Sequence, residues 1–481
     1  MTETTTQQTS PGRHVLDCCA EAERATSFSR RSLLKALGVG TVAIAAGPMV
    51  GMRAAFAADA GWSGDTLVVL SLRGGFDGLS AVAPVADPNL VNWRPTIALP
   101  ANASIQLDSL FGMHPALGAL QPIWNAGNLA FVHAAGLPEP NRSHFEAMDV
   151  MEKAAPGSSI RTGWLDRTLG LHSAGSAFSA IQMGSTSIPE ALVGPVPVLG
   201  MESISSFSLD GTNSTADRNK WAAALNAMHT NAPPGLQDSA SGTLAALNTA
   251  NTLATASYTP ANGASYDNNS DVARALKNTA QLIKANIGLR VLTIDLGNWD
   301  MHAGLGHVDY GWMHDNLTEL GGALAAFATD LGSTYLASTT LVTISEFGRR
   351  VEENQSNGVD HGWGNLMFVL GGNVTKGVHV KMPASGNLLD DANMTDGDLT
   401  ASTDYRAVLA DILVNRTGAS GPDVAAVFPG YSGTTLGVTH TRPSLVMKVP
   451  LLASDARKGT FLSETAPGSR RPAQSGGYGM P

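Results

Sequence analysis

The sequence contains very little cysteine: Cys18 and Cys19 are the only two in 481 residues. Both precede residue 58, and the segment before that position resembles a cleavable export signal. The mature protein would therefore contain no disulfide, although its compartment would permit one. A thiolate nucleophile, a four-cysteine zinc site and an iron–sulfur cluster are excluded for the same reason.

Charged residues are also scarce, at 15% of the chain, and acidic residues outnumber basic ones. The formal net charge of −10 and the absence of a basic stripe argue against a nucleic acid partner. A hydrophobic content of 43% is sufficient for a large core. The length allows one large α/β domain with insertions, or two or three smaller domains.

The N-terminal segment has the pattern of a twin-arginine export signal. Arg30-Arg31 precede a mildly apolar run at 36–50, and Ala55-Phe-Ala57 offers small residues where a signal peptidase cleaves. We therefore predict a signal peptide at 1–57 and a periplasmic or extracellular protein. The alternative is a cytosolic chain in which the arginine pair occurs by chance. Because the apolar run is short and interrupted by glycines and Pro48, no transmembrane helix is expected.

Apolar runs that alternate with helical patterns predict a mainly parallel sheet. The predicted strands lie at 65–72, 129–133, 291–296, 341–345 and 366–370, with a possible further strand at 201–209. Helical spacing covers 143–153, 218–228, 244–253, 271–287, 313–331 and 405–414. We predict a single α/β domain at 58–453 that carries a polar insertion at about 200–270. The Pro-, Gly-, Ser- and Arg-rich residues 454–481 are predicted to be a disordered tail.

Acids and histidines follow two of these apolar runs and precede a third. Asp300 and His302 come after the run at 291–296, and Glu346 follows the run at 341–345. His361 precedes the run at 366–370. Such residues at the carboxyl ends of parallel strands form a site, and carboxylates with imidazoles are common ligands of a hydrolytic metal. The sequence therefore predicts a metallohydrolase whose divalent cation is Zn, Mn or Ca.

Each of these residues also has a purely structural interpretation. Asp300 and His302 could form a hydrogen bond that only holds their loop. Glu346 could form a salt bridge with Arg349 or Arg350. The glycines at 358, 362 and 364 around Asp-His suggest a backbone that a ligand approaches closely.

Two further segments carry candidate residues. In Arg-Gly-Gly-Phe-Asp-Gly at 73–78, Arg73 could bind a phosphate or sulfate oxygen, and Asp77 is either a metal ligand or a turn residue. Ser143 precedes a helical pattern with Glu146 three residues later, which is typical of a capping box. Ser143 is therefore either a helix cap or a nucleophile whose helix start also favours an anion.

These motifs resemble a known family. Behind a twin-arginine signal, the chain contains in order Arg-Gly-Gly-Phe-Asp-Gly-Leu, Asn-Arg-Ser-His-Phe, Asn-Trp-Asp-Met-His, Glu-Phe-Gly-Arg and Asp-His-Gly. This combination resembles the exported bacterial family labelled domain of unknown function 1501, over about residues 62–440. That family is similar to the alkaline phosphatase-like superfamily of phosphatases, sulfatases and phosphomutases. The resemblance implies a doubly wound sheet with helices on both faces and a metal pair at the carboxyl edge of its strands.

The resemblance also implies roles for individual residues. The implied ligands of one metal are Asp300, His302 and His361. The implied acid, nucleophile and acid around a second metal are Asp77, Ser143 and Glu346. The chain has Glu346-Phe347 where the superfamily commonly has Asp-His, so one imidazole of the second site is missing.

The function predicted from these observations is an exported metal-dependent hydrolase of phosphate or related esters. Ser143 would attack the ester, and Arg73 would hold nonbridging oxygens. The substrate would be a small-molecule or polymer ester. The alternative is an exported, non-catalytic binding or assembly protein that keeps the fold with a degenerate site.

Overall fold

Short strands and helices alternate through the described residues, 65–172, 177–207, 214–433 and 435–441, in a computed structural model. In chain order the strands are β1 (Thr66–Leu72), β2 (Val82–Ala83), β3 (Ile105–Gln106), β4 (Gly112–Met113), β5 (Leu129–Gly136), β6 (Ala180–Met183), β7 (Leu199–Met201), β8 (Val291–Leu296), β9 (Thr339–Ile344), β10 (Asn365–Gly371), β11 (Gly377–His379), β12 (Met394–Thr395), β13 (Asp398–Leu399) and β14 (Thr403–Asp404).

The α-helices are α1 (Gly78–Ala81), α2 (Leu90–Trp93), α3 (Gln121–Asn125), α4 (His144–Lys153), α5 (Trp164–Gly170), α6 (Thr215–His229), α7 (Pro234–Thr255), α8 (Asp271–Ala285), α9 (Trp312–Leu336), α10 (Tyr405–Ile412) and α11 (Gly421–Val427). Short 3₁₀ segments lie at Ala101–Ala103, Pro115–Leu120, Glu190–Leu192 and Asp391–Asn393, and a π-helical turn at Leu413–Thr417. α9 is kinked at Gly332, whose φ is 58°.

The central sheet of the described residues has nine strands in the order β11-β5-β10-β9-β1-β8-β6-β7, with β14 paired to β5. β1 lies between β8 and β9 and runs parallel to both. β10 is antiparallel to its neighbours β9 and β5. The residues that precede β10 therefore lie at the same sheet edge as the residues that follow β1, β5, β8 and β9.

The sheet separates two hydrophobic clusters. Every residue of β1 is buried, and successive side chains point to opposite faces of the sheet. Val68 and Leu70 belong to one cluster with residues of α8 and α9, whereas Leu67 and Val69 belong to the other with residues of α4, α5 and α10. Burying one such side chain stabilises the fold by about 1.5–3 kcal/mol. A predominantly apolar strand is thus required at this position.

The predicted fold class is confirmed: the chain is an α/β protein with a mainly parallel sheet and helices on both faces. The predicted strands at 65–72, 129–133, 291–296, 341–345 and 366–370 correspond to β1, β5, β8, β9 and β10. The possible strand at 201–209 is wrong for residues 202–207, because β7 ends at Met201 and a turn follows, and residues 208–209 lie outside the described part of the chain. There Ser203 and Ser206 exchange side chain–backbone hydrogen bonds, each 3.0 Å long, which compete with strand pairing.

In the predicted polar insertion, α6 and α7 pack against each other. Ala246 and Ala250 of α7 reach the hydrophobic cluster that contains α8 and α9. The predicted signal peptide and C-terminal tail lie outside the described residues. Among the helices that the structure describes, none combines the length and hydropathy that a bilayer crossing requires.

The buried carboxylate of Asp330 links the segment after α7 to the core through hydrogen bonds. Asp330 of α9 is fully buried and accepts hydrogen bonds from Tyr258 and Tyr266 hydroxyls at 2.6 and 3.0 Å and from the Ala261 amide at 2.6 Å. Lys284 of α8 donates to the same carboxylate. Burial raises the pKa of Asp330, but these donors outweigh it and lower the pKa below its ordinary value. The resulting stabilisation is present above the ordinary pKa of an aspartate and is lost as the pH falls through the lowered value.

We expect Asp330→Asn to lower the free energy of unfolding by about 3–5 kcal/mol, because it leaves the Lys284 ammonium without its charge partner. Asp315→Asn is the matched control: it removes a carboxylate from the same helix, but that side chain is 75% exposed. The control should change stability by no more than about 0.5 kcal/mol. Denaturant unfolding of both variants measures the difference, and equal midpoints would contradict the role given to Asp330.

Candidate metal centre

Five segments meet at the edge of the sheet where the parallel strands end. They follow β1, β5, β8 and β9 and precede β10. Gly74, after β1, has a φ of 112°, and a Cβ at that position would lie 2.8 Å from the Asp300 amide nitrogen. A glycine is required there because the segments after β1 and β8 touch through their backbones.

Three histidines and one carboxylate converge at this edge. The Oδ1 atom of Asp300 lies 3.6 Å from His144 Nε2, 3.0 Å from His302 Nε2 and 3.4 Å from His361 Nε2. The Nε2 atoms of His302 and His361 are 2.9 Å apart. The potential ligand atoms of His144, Asp300 and His361 all lie within 4.8 Å of one another. Imidazole and carboxylate groups from three separate segments thus point to one small volume.

Two of the imidazoles are held by carboxylates on their far side. His144 Nδ1 lies 2.9 Å from Glu346 Oε1, and His302 Nδ1 lies 2.8 Å from Asp360 Oδ1. Because an ionised carboxylate only accepts, each Nδ1 must be the donor. With Nδ1 as the donor, Nε2 is the ring atom of each histidine that faces the cluster, as in the carboxylate–histidine pairs that support metal ligands.

The third imidazole is held by the main chain. His361 Nδ1 donates to the Arg142 carbonyl oxygen at 2.8 Å, so its Nε2 lone pair also faces the cluster. All three rings are therefore oriented in the same sense by an acceptor outside the cluster. The tautomers follow from the nature of these acceptors.

The distances from Asp300 to the three histidines match the spacing of tetrahedral ligands. For metal–nitrogen bonds of about 2.0–2.1 Å, tetrahedral ligands stand about 3.3 Å apart. The separations measured from Asp300 Oδ1, 3.0 to 3.6 Å, lie around that value. His144 Nε2 is buried and has no hydrogen-bond partner, since Asp300 Oδ1 at 3.6 Å is too distant. A cation would satisfy this nitrogen.

The electrostatics of the centre favour positive charge. Burial lowers the pKa of His144, but the carboxylates of Asp300 and Glu346 outweigh it and raise the pKa to about 9. Burial raises the pKa of Asp300, but contacts with His144, His361 and Arg349 bring it well below its ordinary value. A metal ion would take the place of the second proton on His144, so binding would release that proton.

Arg349 fixes the position of Asp300. Its guanidinium is fully buried and donates to Asp300 Oδ1 at 2.7 Å. Its remaining hydrogen bonds go to the carbonyl oxygens of Gly74, Gly75, Trp299 and Val359. The predicted alternative of a salt bridge between Arg349 and Glu346 is thus replaced by one between Arg349 and Asp300.

The structure brings together four of the residues proposed as metal ligands: Asp300, His302, His361 and Glu346. Glu346 lies behind His144 and not beside the other ligand atoms. Its Oε1 also accepts from the Gly74 amide at 2.8 Å, and its Oε2 accepts from the Ser345 hydroxyl at 3.1 Å. Both oxygens are therefore engaged.

Two other predicted site residues have different partners. Asp77 is buried and forms a two-pronged salt bridge with Arg94, with distances of 2.6 and 3.0 Å. Arg73 donates to Asp295 at 2.6 Å and to Glu152 at 2.7 Å. These contacts occupy the Asp77 carboxylate and compete with any anion for Arg73.

Ser143 occupies the N-cap position of α4, immediately before His144. It is exposed, and its hydroxyl makes no capping hydrogen bond. The predicted capping box is therefore not formed. The hydroxyl of Ser143 therefore adjoins a residue of the cluster without being engaged as a cap.

The glycines around Asp-His are approached closely by protein backbone. A Cβ on Gly358 would lie 2.3 Å from the His302 carbonyl carbon, and one on Gly362 would lie 2.5 Å from that of Arg349. Sequence reasoning also missed His144. Its signal was the Asn-Arg-Ser-His segment, in which the histidine begins a helix after β5.

Comparisons with known proteins agree with the motifs. The family model that matches residues 100–411 is described as Protein of unknown function (DUF1501). The chain belongs to this family. The family assignment made from the motifs is thereby confirmed. A comparison with curated proteins finds no significant sequence match.

Among solved structures, the chain is similar to the C-terminal periplasmic domain of EcEptC from Escherichia coli, in complex with Zn. The TM-score is 0.30 and the identity 11%, over 82% of this chain and 94% of that one. Another structure of the same domain gives a TM-score of 0.30 and 11% identity, over 79% of this chain and 91% of that one.

If His144 is a ligand, the His144→Ala variant should lose most of the metal that the wild-type protein retains after dialysis. Three nitrogen donors would become two, and the Glu346 carboxylate behind the ring would lose its partner. Elemental analysis of both proteins measures this. The control is His379→Ala, because His379 lies in β11 and bonds only to the Thr375 carbonyl among the described contacts. Equal metal contents in all three proteins would contradict the site.

Proposed function

We propose that this protein is an exported, metal-dependent hydrolase of phosphate or related esters, with one divalent cation held by His144, Asp300, His302 and His361. The observation that carries the proposal is the convergence of three imidazole Nε2 atoms on the Asp300 carboxylate. Each ring is oriented by an acceptor on its Nδ1 side. A loop-holding hydrogen bond would need only one of these rings.

The donor set favours zinc. Imidazole nitrogen with one carboxylate oxygen suits Zn, whereas Ca prefers six to eight oxygen ligands. Mn is the next candidate, because it accepts carboxylate and imidazole in a larger coordination shell. Asp300 and His302 are 43% and 44% exposed, so the centre is open to water and to a substrate on one side. This access favours a catalytic role, in which a substrate would have to join or displace one of the four protein ligands.

We infer one cation and not two. The residues implied for a second metal include Asp77 and Glu346, and the carboxylate of each is already engaged. Arg94 stands against Asp77 in a fully buried pair, where a second positive charge would be repelled. Where the superfamily commonly has a histidine, this chain has Phe347 after Glu346. The imidazole of His144, from α4, contacts Glu346 instead.

The chemistry follows from these residues. A bound divalent cation supplies a Lewis acid that polarises a nonbridging oxygen of the ester and lowers the pKa of a nearby hydroxyl. Ser143 Oγ would form a bond to phosphorus as the bond from phosphorus to the alcohol oxygen breaks, and solvent water would carry the hydroxyl proton to the departing oxygen. A second water would then hydrolyse the phosphoseryl ester to phosphate and free Ser143. Asp300 stays ionised because Arg349 and the histidines hold its pKa low. The start of α4 places partial positive charge beside the anion.

The direct test combines metal analysis with a panel of chromogenic esters: phosphate monoesters, phosphate diesters and sulfate esters. Turnover that disappears with a chelator and returns with zinc supports the proposal. A protein that retains about one equivalent of metal but hydrolyses none of these esters would favour the non-catalytic binding protein instead.

A nucleophilic Ser143 makes a sharp prediction. Because its hydroxyl caps nothing, Ser143→Ala should leave the free energy of unfolding unchanged within about 0.5 kcal/mol. The rate of hydrolysis should fall by several powers of ten, since the covalent step is lost. Steady-state kinetics and denaturant unfolding measure the two effects.

The inverse control is Ser270→Ala. The Ser270 hydroxyl accepts from the Ala273 amide at 3.1 Å and donates to Glu319 at 2.6 Å, so it is a working helix cap. Its removal should cost about 0.5–2 kcal/mol of stability and leave hydrolysis unchanged. If Ser143→Ala hydrolyses esters at the wild-type rate, the attacking group is not this hydroxyl.

Export rests on residues outside the described part of the chain. Twin-arginine transport depends on the arginine pair, so replacing Arg30 and Arg31 by Lys should leave the protein in the cytoplasm with its N-terminal segment uncleaved. Cell fractionation with N-terminal sequencing checks this. Secretion and processing of the double variant at the wild-type level would contradict the twin-arginine assignment.

A further inference from the structure

A buried carboxylate lies one contact away from the metal centre. In the two-stranded hairpin of β12 and β13, the second strand begins at Asp398, whose side chain is fully buried. Asp398 accepts hydrogen bonds from the Nε and a terminal nitrogen of Arg142 on the same oxygen, Oδ2. The Nε contact is 3.0 Å long. One carboxylate oxygen of Asp398 therefore binds two nitrogens of the Arg142 guanidinium.

Arg142 is the residue whose main chain holds His361. The Arg142 carbonyl accepts from His361 Nδ1 at 2.8 Å, and the chain reaches His144 two residues later. A shift of Arg142 would therefore move the acceptor that fixes one ring and the segment that carries another. The side chain of Arg142 is 36% exposed, so packing of its guanidinium alone does not hold it.

The main chain of the hairpin also forms hydrogen bonds with the loop that carries His361. The Val351 amide donates to the Gly397 carbonyl at 3.3 Å, and the Gly364 amide donates to the Leu399 carbonyl at 2.8 Å. The hairpin therefore contacts the loop both before and after His361. This rigid attachment gives the Asp398 carboxylate a fixed position relative to the metal centre.

Burying the Asp398 carboxylate lowers the stability of the fold, so stability does not explain its position. Its Oδ1 atom is buried without a hydrogen-bond partner, and Arg350 Nε stands 3.8 Å away, beyond hydrogen-bonding distance. An ion pair that only joined two surface segments could form with this oxygen exposed to water, which would avoid the cost of burying it. The burial fixes the carboxylate in one orientation, with Oδ2 directed at Arg142.

We propose that Asp398 is a positioning residue of the metal centre, which fixes Arg142 and, through the Arg142 carbonyl, the ring of His361. The inference rests on the proposed function for the identity of the centre. The contacts themselves do not depend on it. Outer partners of metal-bound histidines commonly change metal affinity about 10–100-fold when they are replaced.

The experiment compares the wild-type protein with Asp398→Asn, which keeps the shape of the side chain and removes its charge. Competition with a chromophoric chelator measures zinc affinity, and the visible spectrum of the cobalt-substituted protein reports ligand geometry. We expect Asp398→Asn to weaken zinc binding about 10-fold or more and to change the cobalt spectrum. Asp396→Asn is the matched control, because this hairpin carboxylate is exposed, and it should match the wild type in both measurements.

A second measurement does not require a metal. NMR of isotope-labelled histidines in the metal-free protein reports whether His361 carries its proton on Nδ1. The wild type and Asp396→Asn should show a single Nδ1–H tautomer, and Asp398→Asn should show a mixture. Arg142→Lys should act in the same direction, because lysine lacks the fork that spans Oδ2. It provides the test if Asp398→Asn does not fold.

The outcomes separate the two proposals. A wild-type protein that binds no zinc overturns the metal centre, and the tautomer measurement then still decides the role of Asp398. Unchanged zinc affinity with an unchanged His361 tautomer in both Asp398→Asn and Arg142→Lys overturns the positioning role. A loss of thermal stability in Asp398→Asn with a wild-type cobalt spectrum would show that the residue supports only the fold.

Discussion

The contacts of Arg349 hold the candidate centre together. One fully buried guanidinium binds Asp300 and the carbonyl oxygens of Gly74, Gly75, Trp299 and Val359. It therefore joins the segments that follow β1 and β8 to the segment that precedes β10. A planar group with five fixed donors can make these contacts at once, whereas a lysine ammonium cannot. Asp300 is the only charge among these partners, so a cation site that engages Asp300 must share it with Arg349.

Much of this edge could be predicted from the sequence, because strands and their ends are local features. Near-continuous apolar runs such as the one at 66–72 indicate buried parallel strands. Polar residues at the carboxyl ends of such strands meet at one edge whatever the details of the connections. For that reason Asp300, His302 and His361 could be placed together, and the structure brings them within 3.4 Å of one another through Asp300 Oδ1.

The remaining features depend on tertiary partners that no local pattern reveals. Asp77 pairs with Arg94 on α2, and the choice between turn residue, ligand and ion pair is made by that contact. His144 lies at the start of a helix, where a histidine has no periodic signal, and only the fold brings it to Glu346. The antiparallel direction of β10 was equally invisible, because a buried strand has the same composition in either direction.

The polar groups concentrated at this edge of the sheet lower the stability of the fold. His144 Nε2 is buried without a partner, and the nitrogens of His302 and His361 are 2.9 Å apart. In the absence of a cation, acceptors this close repel one another unless a proton lies between them, so each must be held from behind. Glu346, Asp360 and the Arg142 carbonyl provide that restraint. Such restraint would preorganise the candidate centre for a cation, since the repulsion is overcome during folding and binding would not have to overcome it again.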